Sequence, residues 1–504
     1  MKGIVLILLM GCLSGCGGLS LWGKHEPIVA SKPKLQPNFI VILLDDLGLH
    51  DLGVTGNDFI ETPAIDQLAR DGVLFTKAYA NAPNCAPSRA ALMSGQYATR
   101  TGVYTMMTGE MGDAKKRKVQ PPPNRVYLPE NIYTLAEMLH DNGYATAHIG
   151  KWNLGTGPVR GPSGQGFDVN IGGYRGGPGE TGDAYFAPYA PVLPGLQIAP
   201  KGEYLTDRLN RESVAFIEQN KDKPFFLYLS HFAPHFPIVA PAETREKYLQ
   251  KRESLCGAEH KLKFCDMTDH YPEYAAMIEH VDRGVAQIRA TLAANNLADN
   301  TVIVLASDNG GYAWASDPDA LRGAKSQLYE GGIRVPMIWS VPKSVRNGKT
   351  VDVPVTLLDI YPTFAAMANI NTSVLMLDGA DLSSLFVAGS PTKRLATRPL
   401  FWYLPGYTLD SATDDSAENK AGKPSAFYQT PAAVIQFEGW KLTRYYDGKT
   451  PELYYLPADP FESNDLYEQT PVKAAFLMTE LEKWLTNTGG VLALPPSVVQ
   501  SAGQ

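Results

Sequence analysis

Four short runs of this chain, 38–44, 144–149, 224–230 and 301–306, are largely apolar and show no in-and-out alternation. A strand wetted on one face alternates, whereas a strand buried on both faces does not. The runs therefore predict a parallel sheet covered on both sides. Stretches with helical periodicity lie between and around them, at 62–70, 134–142, 204–219 and 273–295. Strand, helix and strand alternating in this way predict an α/β fold, a large mostly parallel sheet flanked by helices. A further strand is read over 73–80, another over 337–341, and a helix near 356–368. Residues 155–200, rich in Gly, Pro and Tyr, read as a long functional loop. From about residue 390 the pattern changes to short alternating runs at 432–436, 440–446 and 452–456, a smaller C-terminal antiparallel sheet, and then a terminal helix over 471–487. The predicted organisation is a leader and tether at 1–36, a catalytic domain at 37–390 and an α+β subdomain at 391–504.

The residues that end the apolar runs are polar and reactive. They are Asp45 and Asp46, Lys151, His235 a few residues past its strand, and Asp308 with Asn309. In open α/β sheets ligands collect beyond the carboxyl ends of the strands, so these side chains should converge there. An Asp after a strand is, taken singly, more often a turn former or helix cap. Two carboxylate pairs at two such ends point instead to a metal, because crowded like charges need a cation and an all-oxygen set suits Ca²⁺ or Mg²⁺. The stretch Cys85-Ala86-Pro87-Ser88-Arg89 starts a helix, with Pro87 in its first turn and Gly95 at its end. Cys85 then sits at the helix N-terminus, where partial positive charge favours an anion. Arg89 lies one turn further on. Lys151 and Lys325 are candidates for holding anionic oxygens, although a lone Lys is most often a solvated surface charge.

Charge and cysteine usage narrow the setting. Forty-five basic against 52 acidic residues give a net charge of −7, and no Lys/Arg-rich block suggests nucleic acid. An anionic substrate would have to be drawn by a local cationic pocket. Lys2, the apolar run 4–10 and Leu13-Ser14-Gly15-Cys16 are too short to span a bilayer and resemble a bacterial lipobox. That predicts an exported lipoprotein anchored only through a lipid on Cys16, on the periplasmic side of a membrane or at the cell surface, with the outer membrane favoured. An ordinary cleaved signal peptide is the other reading. Cys256 and Cys265, with His260 and His270 nearby, could form a local disulfide, stay free or bind zinc. Cys85 is left unpaired in an oxidising compartment, which calls for a reason.

Cys85-Ala86-Pro87-Ser88-Arg89, followed by Leu92 and Gly95, resembles the signature of the formylglycine-dependent sulfatases. Also similar to that family are Asp45-Asp46-Leu47-Gly48, Gly150-Lys151-Trp152, Ala233-Pro234-His235, Asp308-Asn309-Gly310, Lys325 with Tyr329-Glu330-Gly331-Gly332, and Glu452-Leu453-Tyr454 with Asp459-Pro460. The resemblance spans roughly 37–460. It implies an alkaline-phosphatase-like fold and hydrolysis of sulfate esters. It also implies that a formylglycine-generating enzyme oxidises Cys85 to an aldehyde, which hydrates to a diol. By the same resemblance Asp45, Asp46, Asp308 and Asn309, with the modified Cys85, are ligands to Ca²⁺. Arg89, Lys151 and Lys325 stabilise charge, and Lys325 or His235 assists the leaving alcohol. An exported enzyme of this kind suits a sulfated carbohydrate or polysaccharide, with Tyr174, Tyr312, Trp314 and Trp402 as candidates to stack on sugar rings.

Two alternatives remain open from the residues alone: a phosphate or phosphonate ester hydrolase on the same fold, and an inactive relative that binds sulfated glycan. One position departs from the family. The usual Gly-Lys-Trp-His-Leu-Gly reads Gly150-Lys151-Trp152-Asn153-Leu154-Gly155 here. Asn153 can hydrogen-bond a diol but cannot take up its proton near neutral pH. Either another base serves, with His231 and His235 as the candidates, or sulfate release is slow; an Asn153 that faces away from the diol is the plainer reading.

Overall fold

The run 38–44 is a strand, β1 (Asn38–Leu44), with all seven residues buried. Phe39, Val41 and Leu43 point into one apolar cluster, and Ile40, Ile42 and Leu44 into another on the opposite face. Burial on both faces is the physical reason that the sequence does not alternate. The structure is a computed structural model and describes residues 36–493 apart from 107, 175, 177–181, 190–192, 257–262, 317–320 and 410–427. The leader with Cys12 and Cys16 lies outside the described residues, as does His260. No helix among the described residues is long and apolar enough to cross a membrane.

The main sheet has eight strands: β1, β2 (Val73–Phe75), β3 (Ala145–Gly150), β4 (Val169–Ile171), β5 (Phe225–Ser230), β6 (Thr301–Ser307), β7 (Met337–Ser340) and β8 (Lys349–Val351). Their order is β4-β3-β5-β1-β6-β7-β2-β8. The four unalternating apolar runs are thus the four adjacent strands β3-β5-β1-β6, and all their pairings are parallel. Toward the other edge β7 runs antiparallel to both β6 and β2. One face is covered by helices α1 (Pro63–Asp71), α4 (Leu205–Gln219), α5 (Ala242–Leu255) and α6 (Tyr271–Ala294). The opposite face carries α2 (Cys85–Ser94), α3 (Leu135–Asp141) and α7 (Ile360–Met367).

The region read as one strand over 73–80 is two. Val73–Phe75 belongs to the main sheet, and Ala78–Tyr79 turns away to pair with Val355–Thr356. The described residues within 155–200 hold short helical turns and the edge strand β4 rather than unbroken loop. The C-terminal sheet has four antiparallel strands, β9 (Leu400–Leu404), β10 (Ala432–Phe437), β11 (Trp440–Tyr445) and β12 (Glu452–Tyr455). The sequence reading lacks β9, which 27 intervening residues separate from its partner β10. One face of this sheet packs α8 (Pro471–Thr488) through Leu477, Leu481 and Trp484. Its other face, with Trp402, Leu404 and Val434, packs on Leu328 and Ile333, which flank Glu330 just past Lys325. Cys256 and Cys265 form a disulfide, which resolves the three readings of that pair.

Candidate active site

The strand register aligns the site before any side chain is considered. Leu43 and Gly150 are both level with Ser230, and Leu44 is level with Ser307. Residues one step beyond this row leave the sheet together: the N–H of Lys151 donates to the Ser230 carbonyl (2.7 Å) and that of Asp308 to the Leu44 carbonyl (3.1 Å). Gly150 has to be glycine, because its φ is +109° and a Cβ there would lie 1.9 Å from the Ser230 carbonyl oxygen. Asp46 and Asn153 also adopt left-handed backbones, at φ 71° and 61°. Asn and Asp tolerate that region better than most residues, and such strain gathers at functional sites.

Asp45, Asp46, Cys85 and Asp308 offer ligand atoms that all lie within 4.8 Å of one another, and all four residues are buried. The Cys85 thiol contacts Asp45 Oδ1 at 3.2 Å and Asp46 Oδ1 at 3.9 Å. Asn309 donates from Nδ2 to Asp46 Oδ1 (2.7 Å), while its own Oδ1 is buried with no hydrogen-bond partner. A buried orphan acceptor beside three carboxylates is costly unless a cation joins the set. The donor chemistry, oxygen throughout apart from the Cys85 sulfur, fits a hard divalent ion.

Three cations surround these acids. Arg89, fully buried, donates from Nε to Asp308 Oδ2 (2.8 Å) and from Nη1 to the Lys151 carbonyl (2.8 Å) and the Ser230 hydroxyl. Lys151 Nζ lies 2.5 Å from Asp45 Oδ2, and Lys325 Nζ lies 2.6 Å from Asp46 Oδ2. Three positive and three negative side chains roughly cancel, so a divalent ion would leave the pocket positive toward an anionic substrate.

Burial opposes ionisation of Asp45, but Lys151, His235 and Arg89 outweigh it and hold the carboxyl well below the usual range. Asp46 is likewise lowered against burial, chiefly by Lys325. Asp308 is pushed up to about 7 by burial and by Asp45 beside it. The Cys85 thiol is pushed far up by burial and by Asp308 and Asp45, so it is no thiolate.

His235 is brought to the site, with Nε2 3.7 Å from Asp46 Oδ2. Burial first, then Lys325 and Lys151, lower its pKa to about 4 and keep it neutral. His231 is not brought there. It is fully buried, its pKa is lowered to about 3 by burial, and the charge it feels is Asp207 on α4. Asn153 donates its N–H to the Tyr174 carbonyl at 3.0 Å.

Trp402 is removed from the sugar-stacking candidates: it is 1 % exposed, packs edge-on to Tyr79 and donates to the Ala80 carbonyl. Tyr312 is also buried, and its hydroxyl accepts from Lys325 Nζ (3.1 Å), so it orients that lysine. Trp314 stays partly exposed, packed against Tyr312, Phe236 and His270. The sequence reading missed Ser230 and Ser307, which hold Arg89 and the Leu47 N–H. The available signal was a Ser closing each of two buried apolar strands.

The family model described as Sulfatase matches residues 37–370. A protein of Formosa agariphila named Sulfatase is 30% identical over 528 residues, covering 89% of this chain and 89% of that protein. The steryl-sulfatase of Rattus norvegicus is 28% identical, covering 90% and 89% respectively. N-acetylgalactosamine-6-sulfatase of Homo sapiens is 30% identical over 76% of this chain and 71% of its own length. Among solved structures, that of Ps i-CgsB in complex with k-i-k-neocarrahexaose covers 92% of this chain and 96% of its own, with a TM-score of 0.72 and 28% identity.

Proposed function

The chain belongs to the sulfatase family and is a sulfuric ester hydrolase, and we propose that it removes sulfate from a sulfated carbohydrate through a nucleophile made from Cys85. The observation that carries this is the placement of Cys85 at the start of α2, its sulfur within 3.9 Å of both Asp45 and Asp46. Left as a thiol it is neutral and a poor nucleophile. Oxidised to formylglycine and hydrated, it presents two hydroxyls. Cys85 is 0 % exposed, so the formylglycine-generating enzyme has to act before the fold closes.

Asp45, Asp46, Asp308 and Asn309 would hold the divalent cation, Ca²⁺ or Mg²⁺, which supplies charge neutralisation at the sulfate oxygens and acidifies a hydroxyl of the modified side chain. Arg89 fixes Asp308 and, through the Lys151 carbonyl, the loop that carries Lys151. Lys151 and Lys325 are held protonated by Asp45 and Asp46 against their burial, and act as fixed charges for sulfate oxygens. At neutral pH Lys325 carries a proton that a departing alcohol can take, whereas neutral His235 can accept one. After transfer to one hydroxyl, loss of the other hydroxyl's proton reforms the aldehyde and expels sulfate. Asn153 hydrogen-bonds the diol but cannot be that base, so His235 takes the role. Burst kinetics on Asn153→His should then show a faster second phase with the first unaltered. An unchanged burst and steady state in both Asn153→His and Asn153→Ala would remove Asn153 from the mechanism.

The carbohydrate assignment is supported by the neocarrahexaose bound to Ps i-CgsB. Because a steryl-sulfatase is about as similar, assay decides between them. Peptide mass analysis of the segment around Cys85 should find the thiol replaced by an aldehyde, with aryl sulfate hydrolysed and aryl phosphate not. An unmodified Cys85 in fully active enzyme would refute the nucleophile, and preference for phosphate would refute the reaction. Desulfation of defined sulfated oligosaccharides, with a steryl sulfate as comparison, tests the substrate class. By its N-terminal sequence the enzyme is an exported lipoprotein held through Cys16, facing the periplasm or cell surface; labelling with a radioactive fatty acid, lost in Cys16→Ser, tests that.

A further inference from the structure

Lys115-Lys116-Arg117-Lys118 is the longest uninterrupted cationic run in a chain of net charge −7. It is too short for a nucleic-acid arm, and the sequence reading passes over it. Lys115, Lys116 and Lys118 are exposed, and none has an ion-pair partner among the described residues. Arg117 alone is half-buried, 3.8 Å from Glu110 Oε2 and donating to the Glu110 carbonyl. Asp113 caps the turn through the Lys115 N–H at 2.9 Å. Glu110 and Asp113 offset two of the four charges and leave the segment positive. Packing explains Arg117 but gives no reason for three mutually repelling lysines beside it.

The run is also held in place, and what holds it leads to the active site. The buried Tyr407 hydroxyl accepts from the N–H groups of Lys118 (3.0 Å) and Val119 (3.1 Å), and the Tyr407 N–H donates to the Gly109 carbonyl at 2.9 Å. The next residue, Thr408, donates from its hydroxyl to the Ser326 carbonyl at 2.9 Å. Ser326 directly follows Lys325, and its N–H donates to the carbonyl of Pro83 at 2.7 Å, two residues before Cys85. One residue step and two side-chain contacts thus link the run to the loop that carries Lys325. Its exposed ammonium groups stand on a fixed backbone, so little ordering is needed on binding.

We propose that Lys115, Lys116 and Lys118 form a second anion subsite, which takes another sulfate group of the same substrate molecule while one sulfate occupies the catalytic row. The substrate is then a multiply sulfated chain rather than a singly sulfated sugar, an inference that rests on the sulfatase reading above. A sulfate ester stays ionised at any physiological pH and presents several acceptor oxygens, which suit the three donors of an ammonium group. Against a net negative molecule, such a local patch also draws a polyanion to this part of the surface, in a salt-dependent way.

The test uses full-length enzyme and the variant K115Q/K116Q/K118Q, which touches no catalytic group. Hydrolysis of a small aryl sulfate should stay within about twofold of wild type, as exposed substitutions usually do. A short dextran sulfate should inhibit wild type competitively, and this inhibition should weaken about tenfold in the variant and fall less steeply with NaCl. Equal inhibition of both proteins would overturn the proposal. So would non-competitive inhibition of wild type, which would detach the run from the site. Loss of binding to phosphatidylglycerol vesicles with inhibition unchanged would assign the run to a lipid surface and also refute it. If wild type does not hydrolyse the aryl sulfate at all, the sulfatase reading fails; calorimetric binding of dextran sulfate to both proteins still decides on the run.

Discussion

Lys325 illustrates how single residues in this site depend on the neighbours that hold them. Its ammonium is shared between Asp46 Oδ2 (2.6 Å) and the Tyr312 hydroxyl (3.1 Å), and it lies 4.6 Å from the Tyr312 ring centroid. Tyr312→Phe keeps the ring and removes one hydrogen bond. It should lower kcat about tenfold with little change in KM or melting temperature, if the bond aims the Lys325 charge proposed to act in the transition state. A matching rise in KM with kcat intact would make Tyr312 a substrate-binding residue instead. Which residues gather at the candidate site was only partly legible in the sequence. Cys85, Asp45, Asp46 and Asp308 could be picked out because ordinary packing does not ask for them at strand ends or before a Pro. Tyr312 and Trp402 could not be told apart, since an aromatic side chain serves a core, a lysine or a sugar equally well. Only the partners decide: Lys325 for Tyr312, Tyr79 and the Ala80 carbonyl for Trp402.

At the scale of elements, the four apolar runs were readable because burial on both faces erases the alternation. The break at Thr76 and Lys77 was not, because which short segment pairs with which is set by distant strands, here β7 at Met337–Ser340 and the Val355–Thr356 pair. Helix α1 shows the same dependence on distance. Its Thr62 makes no capping hydrogen bond, and the N–H groups of Ala64 and Ile65 donate instead to Asp282 on α6, at 3.2 and 2.7 Å. Burial nevertheless pushes the Asp282 carboxyl up to about 6. Its unfolded value is about 3.9, so the folded protein binds the additional proton between the two. The stability contributed is therefore complete below about pH 4 and is lost as pH rises through about 6. Asp282→Asn cannot ionise, so its melting temperature relative to wild type should rise between pH 5 and pH 7.5, by on the order of 1–3 °C. A difference that is flat or falls with pH would show that the helix N-terminus, not burial, sets the charge of Asp282.

Across the whole molecule, the C-terminal sheet backs the loop that carries Lys325. Lys441 on β11 is fully buried between Glu330 Oε1 (3.0 Å) and Glu462 Oε1 (2.9 Å), and the Glu330 N–H donates to Glu462 at 2.7 Å. Gly310, following the metal-ligand candidates, bonds the Gly332 carbonyl at 2.9 Å, and a Cβ on it would lie 1.9 Å from the Gly331 carbonyl oxygen. The two glycine motifs let the strand end and the Lys325 loop meet. Lys441→Met would leave two buried carboxylates without their cation, and should cost about 3–5 kcal/mol of stability, read as a lowered denaturant midpoint. An unchanged midpoint would mean that water or a proton replaces Lys441 without loss. The sequence shows Glu452-Leu453-Tyr454 as family-like, but the support this sheet gives to Lys325 depends on contacts between residues more than a hundred positions apart. These contacts position the site around Cys85, the residue proposed to supply the nucleophile for sulfate ester hydrolysis. The most direct test is sulfate release from an aryl sulfate by the full chain co-expressed with a formylglycine-generating enzyme, compared with Cys85→Ala prepared identically. The expected result is turnover by wild type and none above background by the variant with its fold intact; equal turnover by both would contradict the account.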